Sequence, residues 1–240
     1  MPKINIRLSI YLLLFYSIIF DSKINAQSLP TIREVSIAVD EIQNQFIEDS
    51  FDKTALIDNE SRIKGISGSF SDKNISECIV SCPMQSGPLV SDWVILMKRE
   101  KNGNWKYGNW YDLWDFEINI IDINSDGIME LILESGYTQM GVTESKFRLI
   151  SLLNYRKEIL YQNDEFDYSG DPFSVKVGEP FSRTVKVDFS HINENGVRII
   201  IEKIKIGYFQ SYDKKADEVK QEYAEENNTY YFENGIYMKK

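Results

Sequence analysis

The chain has 240 residues and a formal net charge of −10, from 27 basic and 37 acidic side chains. This acidic balance argues against nucleic acid and anionic membrane surfaces as partners, because both repel negative charge. It suits a cation or a basic protein partner, and it is also ordinary for a soluble surface. With two cysteines and one histidine, the chain lacks the several His or Cys ligands that zinc sites use.

The first 26 residues have the layout of a cleaved secretory signal. Lys3 and Arg7 form a positive n-region, and an apolar stretch follows at 8–20. Ile24 and Ala26 occupy the −3 and −1 positions of a peptidase site, so we predict cleavage after Ala26. The stretch is too short to span a bilayer comfortably, and an uncleaved N-terminal anchor is the alternative. We expect an exported protein, periplasmic or extracellular, without membrane insertion after cleavage.

The mature chain, residues 27–240, has the length of a single domain with a sizeable core. Its first predicted element is a helix at about 31–50, because apolar residues recur there every three or four positions. These residues are Val35, Val39, Ile42 and Phe46. Thr31 followed by Glu34 forms a capping-box pattern at the start of the helix.

Beyond this helix the hydrophobic period changes to two, which indicates strands separated by turn residues. After a first strand at 62–70, the predicted hairpins cover 92–110, 116–136, 145–164, 184–209 and 228–240. Residues 213–226 are predicted to form a short exposed helix or a mobile loop. The expected fold is mainly β, an antiparallel meander of hairpins with one N-terminal helix. Partial propeller, sandwich and open barrel all fit the pattern.

Cys78 and Cys82 stand four residues apart, and export makes a disulfide permissible. Along a strand, four residues span about 13 Å, far beyond the reach of a disulfide, but in a turn the two side chains can meet. We predict a small disulfide loop, and two unpaired thiols are the alternative.

An acidic turn, Asp122–Glu130, joins two strand-like stretches. Oxygen-bearing side chains occupy its positions 1, 3, 5 and 9: Asp122, Asn124, Asp126 and Glu130. Calcium takes six to eight hard oxygens, Gly127 permits a sharp turn, and the backbone carbonyl of Ile128 offers one further oxygen. The pattern predicts a structural Ca²⁺ site, with a plain polar turn as the alternative.

This loop is not an EF-hand, because its position 12 is Leu133 instead of glutamate and its flanks are strand-like. It resembles the short calcium loop of the FG-GAP/VCBS class, which lies between strands of integrin-alpha-like propeller blades. That pattern, Asp-x-Asp/Asn-x-Asp-Gly-x-x-Asp, is matched at positions 1, 3, 5 and 6, and Glu130 replaces the final aspartate. The resemblance covers about Phe116–Gly136. Calcium affinity on the order of 10⁻⁴–10⁻³ M is expected, as for extracellular modules.

No catalytic constellation is recognisable in the sequence. Asp188 and Ser190 precede His191, but strand alternation would point both away from it, so no relay is expected. Paired carboxylates could meet in space, and nothing singles out a pair.

Aromatic residues cluster just before the acidic turn and suit a recognition surface, although core packing is the alternative. The candidates are Trp105, Trp110 and Trp114, with Tyr137 in a polar loop at 136–145. We predict an exported, calcium-stabilised, non-catalytic module that binds a protein or carbohydrate of the cell envelope. The resemblance also allows a periplasmic inhibitor or immunity-type protein against a cell-wall hydrolase. The sequence is further compatible with a secreted carboxylate-dependent hydrolase and with a structural envelope protein.

Overall fold

The computed structural model describes residues 29–46, 55–56, 64–86, 89–111, 113, 117–139, 142–168, 174–213 and 218–240. The predicted signal peptide and Trp114 lie outside these residues. No helix within them is long and apolar enough to cross a membrane.

Helix α1 (Ile32–Phe46) begins with the predicted capping box. The Thr31 N–H donates to Glu34 Oε2 at 2.8 Å, and the Glu34 N–H donates to Thr31 Oγ1 at 3.3 Å. Glu34 Oε1 also accepts the Trp105 N–H at 2.8 Å, which fastens the helix to a strand beneath it. The predicted apolar face is buried against that sheet through Val35, Ala38, Val39 and Ile42. The predicted continuation to residue 50 lies outside the described residues.

The described strands form two antiparallel sheets. The first contains β1 (Ala55–Leu56), β2 (Lys64–Gly68), β3 (Glu77–Ser86), β4 (Leu89–Arg99) and β5 (Trp105–Tyr111). The second contains β6 (Glu117–Ile121), β7 (Glu130–Gln139), β8 (Val142–Ser151), β9 (Glu158–Asp167), β10 (Pro180–Ile192), β11 (Arg198–Asp213), β12 (Glu218–Glu233) and β13 (Ile236–Lys239). The strands of the second sheet follow chain order from edge to edge, so the predicted mainly β meander is confirmed.

Three layers of apolar contact organise the core. Helix α1 covers one face of the first sheet, and the other face packs on the second sheet, where Leu96 and Phe70 share a cluster with Leu131. The second sheet curls, so that Tyr237 of β13 approaches Tyr161 of β9 with ring centroids 6.5 Å apart. Among the predicted architectures, two packed sheets correspond to the sandwich-like one rather than to four-stranded propeller blades.

The predicted disulfide is wrong. Cys78 and Cys82 form no disulfide and are fully buried on β3, where they face α1. Their strand partners are Met97 and Trp93, so the intervening backbone is fully extended and holds the thiols far apart. Burial raises the pKa of the Cys78 thiol to about 11.

The described parts of two polar segments predicted as irregular are strands, and residues 140–141 and 214–217 of these segments lie outside the described residues. The expected helix or loop at 213–226 contributes to β12, because the charged residues of β12 pair along the exposed length of β11, with Lys205 opposite Glu225. The expected recognition loop at 136–145 is a hairpin, because β7 and β8 pair as far as Gln139 opposite Val142. In both segments, pairing with the neighbouring strand stabilises the extended backbone, although the sequence lacks the alternating apolar pattern that usually marks a strand.

Candidate metal centre between the two sheets

The acidic loop, defined as Asp122–Glu130, connects β6 to β7 and is tied to both sheets. The Met129 N–H donates to Ser69 O at 2.7 Å, which links the loop to the first sheet. The Arg198 N–H donates to Ile123 O at 2.8 Å, and Arg198 Nε donates to Asp122 O at 3.3 Å. The loop therefore lies where the first sheet, β6–β7 and β11 meet.

Within the loop, most side-chain oxygens accept hydrogen bonds from backbone amides. Asp122 Oδ2 accepts the Gly127 N–H at 3.1 Å, and Asn124 Oδ1 accepts the Asp126 N–H at 3.2 Å. Asp126 Oδ1 accepts the Ile128 N–H at 2.8 Å, and its Oδ2 accepts from Asn124 Nδ2 at 2.8 Å. Gly127 has a φ of +86°, as expected for the sharp turn. These bonds alone would make an ordinary Asx-type turn.

One oxygen departs from that pattern. Asp122 Oδ1 is buried and has no hydrogen-bond partner among the described residues. Leaving a buried polar atom without a partner costs on the order of 1–3 kcal/mol, and more when the atom is charged. None of the described residues donates to this oxygen, so it can accept a bound ligand.

Glu130 adds a second buried carboxylate. It is 4% exposed, and its Oε2 accepts the Ile123 N–H at 3.1 Å. Burial, reinforced by the negative charges of Asp126 and Asp122, raises the pKa of Glu130 to about 8. A nearby cation would strongly stabilise the ionised form of a carboxylate in this position.

The donors fit calcium by type, but they do not converge on one point. Across the part of the chain that the structure describes, no three His, Cys, Asp or Glu side chains are grouped as metal ligands. In the acidic loop the reason is visible, because Asn124 and Asp126 each accept a hydrogen bond from the backbone N–H two residues further along the chain. A cation would have to compete with those hydrogen bonds.

The described aromatic residues proposed as a recognition surface fall in two places, with Trp105 and Trp110 in the cluster beneath α1 and Tyr137 on the second sheet. Trp105 is 5% exposed and belongs to the core beneath α1, which is the core-packing alternative. Trp110 is half-buried on the same side, with its ring 5.3 Å from that of Trp93. Tyr137 is 54% exposed on the second sheet and donates to Glu144 Oε2 at 2.7 Å.

The prediction that Asp188 and Ser190 face away from His191 is wrong. A register shift between Asp188 and His191 breaks the strand alternation. It brings Asp188 Oδ2 to 3.5 Å and Ser190 Oγ to 3.2 Å from His191 Nδ1. A catalytic relay needs serine and acid on opposite ring nitrogens, whereas here both approach Nδ1. The arrangement is therefore an exposed polar cluster at an irregularity within β10.

A cleft of about 270 Å³ adjoins the acidic loop. We call it the polar cleft. It lies between the turn Ser71–Asn74, the loop residues Asp126 and Ile128, and the segment Leu153–Asn154. The sequence contains no signal for it, because its walls come from three separate parts of the chain.

Comparisons with protein-family models, with curated proteins and with solved structures found no match. The functional argument therefore rests on the residues and geometry of this chain.

Proposed function

We propose that this protein is an exported β module, stabilised by calcium, that binds a protein or carbohydrate of the cell envelope without catalysing a reaction. The observation that carries the calcium part is the buried Asp122 Oδ1, which lacks a partner among the described residues. A cation ligated there would offset its desolvation and would favour the ionised form of Glu130 as well.

Calcium suits this donor set better than other cations. The loop offers carboxylate and carboxamide oxygens, with the Ile128 carbonyl as a further ligand, and calcium accepts many oxygens in flexible geometry. Magnesium demands tighter octahedral geometry and retains more of its waters. The FG-GAP/VCBS-type assignment is part of the same proposal, with Glu130 at the position of the usual aspartate.

A binding role is favoured over catalysis because of where the loop lies. Its contacts with Ser69 and Arg198 connect separate parts of the fold, so calcium there would act on stability. The partner of such a module would be recognised by a surface that calcium holds in shape.

Thermal unfolding in calcium and in EDTA tests the metal site. With a dissociation constant of 10⁻⁴–10⁻³ M, about 10 mM calcium should stabilise the protein by about 1.4–2.7 kcal/mol. For a chain of this size that corresponds to a midpoint shift of roughly 3–10 °C. Asp122→Ala and Asp126→Ala should abolish the shift, whereas Asp40→Ala, an exposed acid on α1, should retain it. An unchanged midpoint in excess calcium would refute the metal site.

The binding role has its own test. A pull-down from envelope extract should capture a stable, specific partner, and its absence would favour a purely structural envelope protein. If the captured partner is a cell-wall hydrolase whose activity falls on binding, the inhibitor or immunity-type alternative is favoured.

A carboxylate-dependent hydrolase is the second candidate function. Glu117 lies directly opposite Glu134 across β6 and β7. Burial, then the charges of Glu117 and Glu165, raises the pKa of Glu134. Glycoside hydrolases use a pair of carboxyl groups of which one has a raised pKa, although Glu134 lies on a sheet face rather than in the polar cleft. Glycan or peptidoglycan hydrolysis that disappears in Glu134→Gln would favour this candidate over a non-catalytic module.

A further inference from the structure

One long edge of the second sheet has no strand beside it among the described residues. Strand β12 pairs with β11 along residues 218–230, whereas β13 pairs with β12 only at 230–233. The Lys240 N–H extends that second pairing slightly by donating to Thr229 O at 3.0 Å. Residues 219–228 therefore have a described strand on one side only, and we call this stretch the open edge.

The direction of the backbone groups along the open edge follows from the Thr229 contact. Because Thr229 O bonds to the Lys240 N–H, the backbone groups of Thr229 point away from β11. These directions alternate along a strand, so the N–H and C=O of Asn227, Glu225 and Tyr223 also point away from β11. None of the described strands pairs with these groups. Three donors and three acceptors at regular spacing form a template on which another strand can pair.

The open edge is regular and accessible. Natural sheets often block an edge with proline or a β-bulge. Residues 219–228 contain no proline, and the register shift between β11 and β12, at Phe209 and Ser211, lies before Tyr223. Tyr223 is 54% exposed, and Lys205 Nζ lies 3.9 Å from its ring centroid, so the ring inclines towards β11. The outward backbone groups are therefore open to another chain.

The charges along the open edge select the kind of strand that can be added. Glu222, Glu225 and Glu226 are exposed acids, and the sequence has only one base in this stretch, Lys220. Because side chains alternate along a strand, Glu225 points to one face of the sheet, and Glu222 and Glu226 point to the other. An added strand would thus meet carboxylates on both faces. Opposite charges on paired strands stabilise them and like charges oppose pairing, which favours a basic strand over a second copy of β12.

We propose that the open edge of β12 binds an extended basic segment of a partner protein as an added strand. This inference rests on the proposed function, because it names the partner of the module whose β11 the acidic loop holds through Arg198. The net charge of −10 would steer a basic segment towards the molecule. Backbone hydrogen bonds then supply affinity, and the glutamates supply selectivity. Protein is favoured over carbohydrate, because a sugar lacks the regular backbone repeat that matches a strand edge.

Amide hydrogen exchange of the ¹⁵N-labelled protein tests this assignment. In the protein alone, the amides of Tyr223, Glu225 and Asn227 should exchange faster than those of Ala224 and Glu226, which point towards β11. The probe is the peptide acetyl-Lys-Val-Lys-Thr-Lys-Val-Lys-amide in calcium-containing buffer of low ionic strength. An excess of this peptide should slow exchange of the first three amides about tenfold or more.

Two control peptides separate strand addition from charge attraction. The fully N-methylated form of the probe keeps every charge but loses the backbone donors on both of its edges. A version with glutamate in place of each lysine keeps the donors but reverses the charge. Neither peptide should slow exchange of the Tyr223, Glu225 and Asn227 amides.

Glu225→Pro and Glu225→Gln form a matched pair of variants. Because the Glu225 N–H points away from β11, proline there removes a donor of the open edge without removing a bond of the sheet. Glu225→Pro should weaken binding of the lysine peptide about tenfold or more. Glu225→Gln keeps the N–H and loses only a charge, so it should weaken binding by about two- to fivefold. Unchanged protection of the Ala224 and Glu226 amides reports that each variant is folded.

Several results would overturn strand addition. One is equal protection by the fully N-methylated peptide, and another is an equal loss of binding in Glu225→Pro and Glu225→Gln. Slow exchange of the Tyr223, Glu225 and Asn227 amides in the protein alone would show that the edge is already covered, by a second copy if light scattering gives a dimer and by this chain if it gives a monomer. If the peptide protects no amide while calcium stabilises the protein and a partner is captured, the strand-addition inference fails and the proposed function stands.

Discussion

Replacing Glu130 by glutamine should stabilise the calcium-free protein at alkaline pH and reduce its response to calcium. Burial, with the charges of Asp126 and Asp122, raises the pKa of this carboxyl from 4.5 to about 8. Glutamine retains an oxygen that can accept the Ile123 N–H, but it carries no charge. Burial and then the negative charge of Glu130 raise the pKa of the Tyr237 hydroxyl.

The sign and size of the effect follow from proton linkage. Between pH 4.5 and 8, folded Glu130 holds a proton that the unfolded chain has released. The stabilising contribution of this carboxyl is therefore complete below pH 4.5 and is lost as the pH rises to 8. At about 1.4 kcal/mol per pH unit, the loss across the window is on the order of 4–5 kcal/mol. Calcium would offset this loss, because it holds the carboxylate ionised without requiring a proton.

Urea unfolding at pH 5 and pH 8, in EDTA and in calcium, measures this effect. In EDTA, the free energy of unfolding of the unmodified protein should fall by several kcal/mol relative to that of Glu130→Gln between pH 5 and pH 8. Calcium should stabilise the unmodified protein more at pH 8 than at pH 5. Glu158→Gln, at an exposed position on β9, controls for the loss of one charge. Parallel pH profiles for Glu130→Gln and the unmodified protein in EDTA would refute the buried-carboxyl argument. A full calcium response in the variant would exclude Glu130 as a ligand.

Three further predictions concern the fold. Neither buried thiol, Cys78 nor Cys82, should react with a thiol reagent until urea unfolds the protein, and a reductant should leave the unfolding midpoint unchanged; a lowered midpoint would indicate a disulfide. Glu34→Ala removes the capping box and the acceptor of the Trp105 N–H, so urea unfolding should show a loss of about 1–2 kcal/mol. Glu202→Ala leaves the buried Tyr161 and Asn228 donors unpaired, and should cost about 3 kcal/mol or more; a smaller loss would mean that water replaces the carboxylate.

The features predicted correctly are those carried by short stretches of sequence. The capping box of Thr31 and Glu34 is complete within four residues, and the hairpin turn at Asn234-Gly235 needs no distant contact. The turn of the acidic loop also follows from local spacing, and Gly127 has the positive φ that this turn requires. In each case the residues that decide the structure are neighbours in the chain.

The features predicted wrongly depend on distant partners. The polar sequence of β12 becomes a strand because β11 lies beside it, and Cys78 and Cys82 are extended because β3 pairs with β2 and β4 on both sides. The register shift that turns Asp188 towards His191 also arises from pairing. The polar cleft could not be predicted either, because the three segments that line it are far apart in the chain.

The position of the acidic loop changes what calcium would do for this molecule. The sequence places the loop within one hairpin, where bound calcium would stabilise β6 and β7 alone. In the structure the loop also contacts Ser69, which directly follows β2 of the first sheet, and Arg198 of β11. Arg198 O in turn accepts from the Tyr237 hydroxyl of β13 at 2.9 Å. A cation at Asp122 would therefore stiffen contacts that join both sheets and the last strand. Because Asp126 and Ile128 also line the polar cleft, the same cation would fix the position of one wall of that cleft.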